Sequence, residues 1–503
     1  MDDVCASSRF SPGLGFRSEN AEDNEYAVGI EPTLELVLTT SDITGLDASA
    51  TLLVFNNEVG FSKENIDSLC SIGRSTKKGQ RPQGFIGEKG IGFKSVFLVS
   101  RQPHIFSNGY QIRFDEAPNR DCGIGYIVPE WVSTRPAISD LQLIYGPSKT
   151  LPATTIILPL KSEKLETVKK HLSEIHPEVL LFLHKIKRLS IRENRCSEER
   201  ENRCSSSEDS VSAISISSET NLISEQNQGT DLSIVHLSIQ EGLEMGEATC
   251  CYYIYRQRFP VKPENVVDCR KDLYEWAISL AFPFGERLRR GTSSVGVFAF
   301  LPTAMVTNFP FVVHADFILS SSREAILLDN KWNLGILDHV PSCFVNALTT
   351  LMKSNQMAET FPTARVVEFL PVRESPVEQF NRLRESIRIK VKSLHIVPCE
   401  SFMTGEMVFC EPIGVVRIFP EFRKILSNIK ELGVSLSVIS SRGKYVLHNS
   451  IDCNKYEETW NFLGVPSMEK SYEWCGECIG MCNLVLRVPT VVYVELLCFL
   501  ADN

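Results

Sequence analysis

The first half of the chain is built from short blocks in which apolar positions either alternate or recur at helical spacing. LELVLTT (34–40) and TLLVF (51–55) read as strands, and the turn formers Gly, Asp and Ser in the intervening SDITGLDASA predict an antiparallel pair. SKENIDSLCSIG (62–73) has the spacing of an amphipathic helix. SVFLVS (95–100), QIRF (111–114) and TTIILPL (154–160) are further apolar runs, the last predicted as a sheet strand. A helix-like stretch over 164–191 is interrupted by Pro177. The pattern is mixed α/β.

Between about 191 and 230 the composition turns to Ser, Glu, Asn and Arg, and ENRCS occurs at 193–197 and again at 201–205. Such a stretch buries too little apolar surface to offset its ordering entropy, which predicts a disordered insertion or linker. Strand-like runs return in LSIVHLSIQ (232–240), TCCYYIYRQRF (249–259), YEWAISLAFPF (274–284), VGVFAFLP (295–302) and FPFVVHADFIL (309–319). WNLGILDHVPSCFVNALTTLMK (332–353) reads as helix apart from Pro341. The organisation expected is a domain over 1–190, a linker over 191–230, a second α/β domain over 231–355 and a mixed α/β region over 356–503.

Composition narrows the function classes. With 503 residues, 43% hydrophobic and 23% charged, the chain has room for about three ordinary globular cores. The acidic N-terminus MDDVCASSRFSPG lacks the basic and apolar regions of a signal peptide. The run VPTVVYVELLCFL carries Glu495 and is shorter than a membrane span, so no transmembrane segment is expected. Sixteen cysteines without a secretion signal read as reduced thiols of a cytosolic or nuclear protein. Cys475, Cys478 and Cys482 have no evident fourth zinc ligand and read as a packed helix face. A net charge of −10 does not support nucleic-acid binding, and RLRRG (287–291) reads as a solvated turn.

The sharpest chemical signal is GEKGIGFKSVF (87–97). Glycines at this spacing let backbone N–H groups approach phosphate oxygens. It is not a Walker A loop, because Lys94 is misplaced for that motif. It is not a dinucleotide-binding fingerprint either, because the polar RSTKKGQRPQG precedes it where a strand would be required. The order of strand TLLVF, then NNEVGF, an amphipathic helix, the glycine loop and ATTIILPL resembles the GHKL ATPase fold, a two-layer α/β sandwich. The likeness is closest to the heat-shock chaperone ATPases. The phrases LCSIGRSTKKG, FIGEKGIGFKSVF, FLPTAMVTNFPF and ADFILSSSRE further resemble the N-terminal part of plant NO VEIN-like proteins.

The resemblance implies ATP or ADP as ligand, with magnesium. Asn20 would give its side-chain oxygen to the metal, near Asp23, or would simply cap a helix. Asn56 would stand where the family places an aspartate on the adenine amino group, and Gly60 would allow close approach of the base or be a simple turn glycine. Ser75, Thr76 and Lys77 would fall in the family's mobile lid, where they could meet phosphate, or in a solvent-exposed loop. Gly87, Gly90, Ile91, Gly92 and Phe93 would form the phosphate cradle, Thr154 would lie beside adenine or be a plain β-branched strand residue, and Arg323 would reach the γ-phosphate from a domain like the chaperone middle domain or make a surface salt bridge. Where the family has its water-polarising glutamate, this chain has Phe16 in a Pro-Gly-rich setting, and Glu19 is a weak substitute. Nucleotide binding with slow or absent hydrolysis is therefore expected, and the first domain reads as incomplete at its N-terminus. The alternative is a degenerate scaffold that acts by protein contact. A nuclear location with a developmental role, an unidentified protein partner and a nucleotide-dependent dimer are expectations from the resemblance; a cytoplasmic location is the alternative.

Overall fold

The computed structural model describes residues 20–71, 93–117, 125–194, 211–221, 229–241, 247–288, 296–353, 363–401, 407–433, 445–481 and 488–502. They divide into two compact units, one of residues up to 306 with 312–336, the other of 307–311 with 337–503.

In the first unit the predicted pair forms as expected. β1 (Thr33–Thr39) runs antiparallel to β2 (Thr51–Asn56), with Leu36 opposite Val54. Both strands are apolar on both faces because both are covered. Leu34, Leu36, Leu38, Leu52 and Val54 enter the large core. Val37, Leu53 and Phe55 enter a smaller one, with Leu141 and Ile144 of a helix over Ile138–Tyr145. β3 (His104–Ser107), β4 (Tyr110–Arg113), β5 (Glu130–Trp131) and β6 (Thr154–Pro159) extend one side. The 93–98 segment, an apolar helix or strand by sequence, is a 3-10 helix.

On the other side β7 (Arg188–Asn194) lies parallel to β1, fastened by an ion pair of 2.8 Å between Arg192 and Glu35. β8 (Val211–Asn221), β9 (Thr230–Glu241), β10 (Glu247–Pro260) and β11 (Glu275–Phe284) follow as antiparallel neighbours. β12 (Val297–Ala299), β13 (Leu301–Pro302) and β14 (Val312–His314) complete the far edge. Among the described residues this is one sheet of fourteen strands, in the order β13-β12-β14-β11-β10-β9-β8-β7-β1-β2-β6-β3-β4-β5. The boundary expected near 190 thus falls inside a continuous sheet. Val211–Asn221, within the stretch read as a linker, is a strand in which ISIS (214–217) alternates apolar and small polar residues, and Ile214 and Ile216 are buried. The ENRCS repeats lie almost entirely outside the described residues.

The helix expected over 164–191 is divided in three. Leu165–Ser173 is α-helix, Pro177–Leu180 is a 3-10 turn starting at the proline, and the remainder leads into β7. The helix Lys331–Lys353 continues through Pro341. The second unit has a four-stranded sheet, with β15 (Val397–Glu400), β16 (Met407–Cys410), β17 (Val415–Val416) and β18 (Tyr445–Leu447) in the order β16-β15-β18-β17. Its helices include Pro420–Glu431, Tyr472–Met481 and Thr490–Asp502, which share one core. Cys475 and Cys478 are buried in that core beside Trp474 and Ile479. No described helix is long and apolar enough to cross a membrane.

Candidate functional site

The expected base-recognition residues meet at one point of the large sheet. Asn56 ends β2 and Thr154 begins β6, and the two are direct cross-strand partners; Ser107, at the end of β3, faces Thr154 from the other side. Strand register therefore brings together residues that are distant in sequence.

Their polar atoms are engaged with the protein. The Asn56 amide donates to the Tyr26 hydroxyl (2.8 Å) and to the Thr33 carbonyl (2.9 Å), and its oxygen accepts from Asn24 (3.1 Å). Tyr26 in turn donates to the Ala21 carbonyl (2.8 Å), tying the short helical stretch 20–23 to the cluster. Burial, with the Glu58 and Glu22 carboxylates adding to it, holds the Tyr26 phenol well above its usual range, so it stays protonated and can donate.

Thr154 donates to the Glu58 carboxylate at 2.6 Å, lies 2.5 Å from the Ser107 hydroxyl, and Ser107 accepts from the Phe61 backbone N–H at 2.8 Å. With Thr154 donating to Glu58, Ser107 donates to Thr154, and the three bonds form one directed chain ending on a buried carboxylate. Gly60 has φ of +94°, and a Cβ there would stand 2.8 Å from Cβ of Asn108. The close approach it permits is to the turn between β3 and β4, whose Asn108 donates to the Phe61 carbonyl at 3.3 Å.

Sequence reasoning missed Glu58, Ser107, Tyr26 and Asn24. The available signal for Glu58 was its place inside NNEVGF, between Asn56 and Gly60; Ser107 carried none, because only sheet pairing brings it there.

Other assigned residues are dispersed. Asn20 opens the helical stretch 20–23, and Asp23 within it is buried. Among the described residues no three His, Cys, Asp or Glu side chains gather as a metal site. Asn20 could contribute one amide oxygen to magnesium that is otherwise held by a nucleotide's phosphates, which accords with how that ion is usually bound. Phe93 packs in the core against Phe114, with ring centres 5.6 Å apart, so its side chain is structural. The neighbouring Lys94 donates to the carbonyls of Leu69 (2.6 Å) and Tyr126 (2.8 Å), and burial pushes its ammonium down to about 8. Arg323 sits in a turn at φ of 63°, in the same compact unit as Asn56 and Thr154 rather than in a separate domain. Burial depresses its guanidinium below the usual value. Glu19, Ser75, Thr76, Lys77, Gly87, Gly90, Ile91 and Gly92 lie outside the described residues, as does Phe16.

The fold and this cluster define an α/β protein whose sheet ends bear a self-bonded polar site. No protein-family model matches the chain. It is similar to Protein NO VEIN of Arabidopsis thaliana, with 34% identity over 344 residues, covering 66% of this chain and 11% of that protein. The chain thus corresponds to a small part of that relative.

Proposed function

We propose that the first unit is a GHKL-type module of a NO VEIN-like protein that binds ATP or ADP with magnesium and turns ATP over slowly or not at all. The observation that carries this reading is the cross-strand pairing of Asn56 with Thr154, since these are two of the three positions, with Gly60, that the resemblance assigns to the base. In this reading Asn56 offers its amide oxygen to the base, Asn20 its amide oxygen to magnesium, and the glycine loop its backbone N–H groups to the phosphates. Magnesium would neutralise phosphate charge. A nuclear location and a protein partner that senses the nucleotide state belong to the same proposal.

The internal bonds of the site set its affinity. A base must exchange with Asn24 and Tyr26 at Asn56, and with Glu58 at Thr154. Each exchange gains little, because one hydrogen bond replaces another. This saturation favours a second reading, a scaffold that retains the fold and acts through protein contacts alone. Equilibrium binding of ATP, ADP and a nonhydrolysable analogue to the whole chain, with and without magnesium, separates the two. The nucleotide reading expects weak magnesium-dependent binding that tightens in Glu58→Gly, which releases the Thr154 hydroxyl. Absence of binding by both the native chain and a folded Glu58→Gly variant would leave the scaffold reading standing.

A further inference from the structure

The first unit contains a cavity of about 860 Å³, within the range of small-molecule sites; no residue of the Asn56–Thr154 cluster lines it, and of the residues expected at the nucleotide only Asp23 does. Its floor is one face of the central sheet, which carries Arg256 of β10, Ser279 of β11 directly opposite it, and Ser233 of β9, which pairs with Ile254 two residues before Arg256. The segment 181–187 contributes Phe182, Lys185 and Lys187.

Arg256 is the anomaly. Its Nε is buried without a hydrogen-bond partner, and no hydrogen bond or ion pair joins its guanidinium to another described residue. Its register partner Asp231 is exposed and makes no ion pair with it. Of the other carboxylates lining the cavity, Glu275 stands 3.8 Å from Arg258 and Asp23 is buried at its edge, while the remaining two are committed elsewhere. Glu22 accepts from the backbone N–H groups of His184 (2.6 Å), Lys185 (2.9 Å) and Ile186 (3.0 Å), and Asp316 is paired with Arg270 at 2.8 Å. Lys187 is similarly underused, its ammonium reaching the Leu183 carbonyl at 3.5 Å. Burial holds both the Arg256 and Lys187 cations below their usual values, Arg258 adding to the effect at Arg256, against the weaker attraction of Asp231 on Arg256 and of Glu22 on Lys187. A buried charged donor left unmet costs several times what an ordinary hydrogen bond returns, so a cavity retaining one is suited to an acceptor from outside.

The remaining wall defines the body of such a ligand. Phe182 stacks on His314 with ring centres 4.3 Å apart and planes 8° apart, and Trp276 meets Trp332 edge to face at 5.6 Å. These surfaces suit a flat apolar group. We propose that this cavity binds a small molecule bearing an oxyanion, phosphate or carboxylate, on an aromatic body, with Arg256 as the principal anion contact and Lys187 as its support. Arginine suits the role because its planar fork offers paired donors and keeps its charge.

The test titrates the whole chain with phenyl phosphate, benzoate, inorganic phosphate and phenol, read by calorimetry and by the fluorescence of Trp276 and Trp332. Saturable binding of phenyl phosphate or benzoate, stronger than that of phenol or of inorganic phosphate, is the expected result, and the stronger of the two identifies the oxyanion. Arg256→Met should weaken it by about tenfold or more, while Arg256→Lys retains part of it. Phenol binding as tightly as either acid, unchanged affinity in an Arg256→Met variant that melts like the native chain, or no binding of either acid at millimolar concentration would each overturn the proposal. Saturating magnesium ATP should not displace the probe; displacement would make the cavity part of the nucleotide site and overturn its independence. Because the readout needs no nucleotide, failure of the ATP proposal leaves this test intact.

Discussion

At the scale of single residues, burial rather than residue type sets the chemistry. His104, on β3, is almost fully buried, and its Nδ1 has no hydrogen-bond partner. Burial, with Arg113 adding to it, pushes its imidazole from 6.5 down to about 4. The folded state therefore holds His104 neutral at a pH where the unfolded chain protonates it. The unfolded state binds more protons between about 4 and 6.5, so the stability due to His104 is full above 6.5 and is lost as pH falls toward 4. The loss is about 3 kcal/mol at most, a shift of one pH unit being worth ~1.4 kcal/mol. Urea unfolding from pH 7 to 4 should show this acid limb, and His104→Phe should flatten it. An identical slope in both proteins would place the titration elsewhere. Nothing in the sequence marks His104 out from the chain's eight other histidines; its role comes from a strand covered on both sides.

At the scale of elements, the junctions between strands carry the candidate site, and Gly60 shows how tightly they are fitted. The chain leaves β2 at Asn56 and must pass the β3–β4 turn, and only a residue without Cβ fits at φ +94° beside Asn108. Gly60→Ala should therefore destabilise the first unit by about 1–3 kcal/mol, the usual cost of a strained backbone position. It should also loosen the Phe61–Ser107–Thr154–Glu58 chain of hydrogen bonds, seen as faster amide exchange at Phe61. A variant with native stability and native Phe61 protection would show that the turn yields without cost. The glycine itself was legible in NNEVGF, where it read either as a close approach to the base or as a turn glycine, and its observed neighbour is another turn of the protein.

At the scale of the whole molecule, what unites the first unit is a buried ion pair between segments far apart in the chain. Glu178, fully buried in the turn that begins at Pro177, accepts from Arg287 through both carboxylate oxygens and from the Tyr252 hydroxyl at 2.5 Å. Arg287 belongs to RLRRG, which read as a solvated turn but is itself buried here, because the carboxylate that neutralises it arrives from a distant segment. Glu178→Gln should cost about 3–5 kcal/mol in denaturant unfolding, because it leaves the guanidinium buried with half its partner, whereas replacing both residues by apolar ones of similar size should cost far less. Equal losses in the two variants would mean that packing rather than charge holds this junction. By itself the sequence determined the α/β class, the β1–β2 pair and most of the later strands, since those follow from local periodicity and turn chemistry. Only the tertiary structure decided that one sheet runs through the expected boundary near 190, that Asn56 and Thr154 bond to Tyr26 and Glu58, and that Arg256 stands unmet in a cavity, because strand order, burial and charge pairing depend on segments that no local pattern connects.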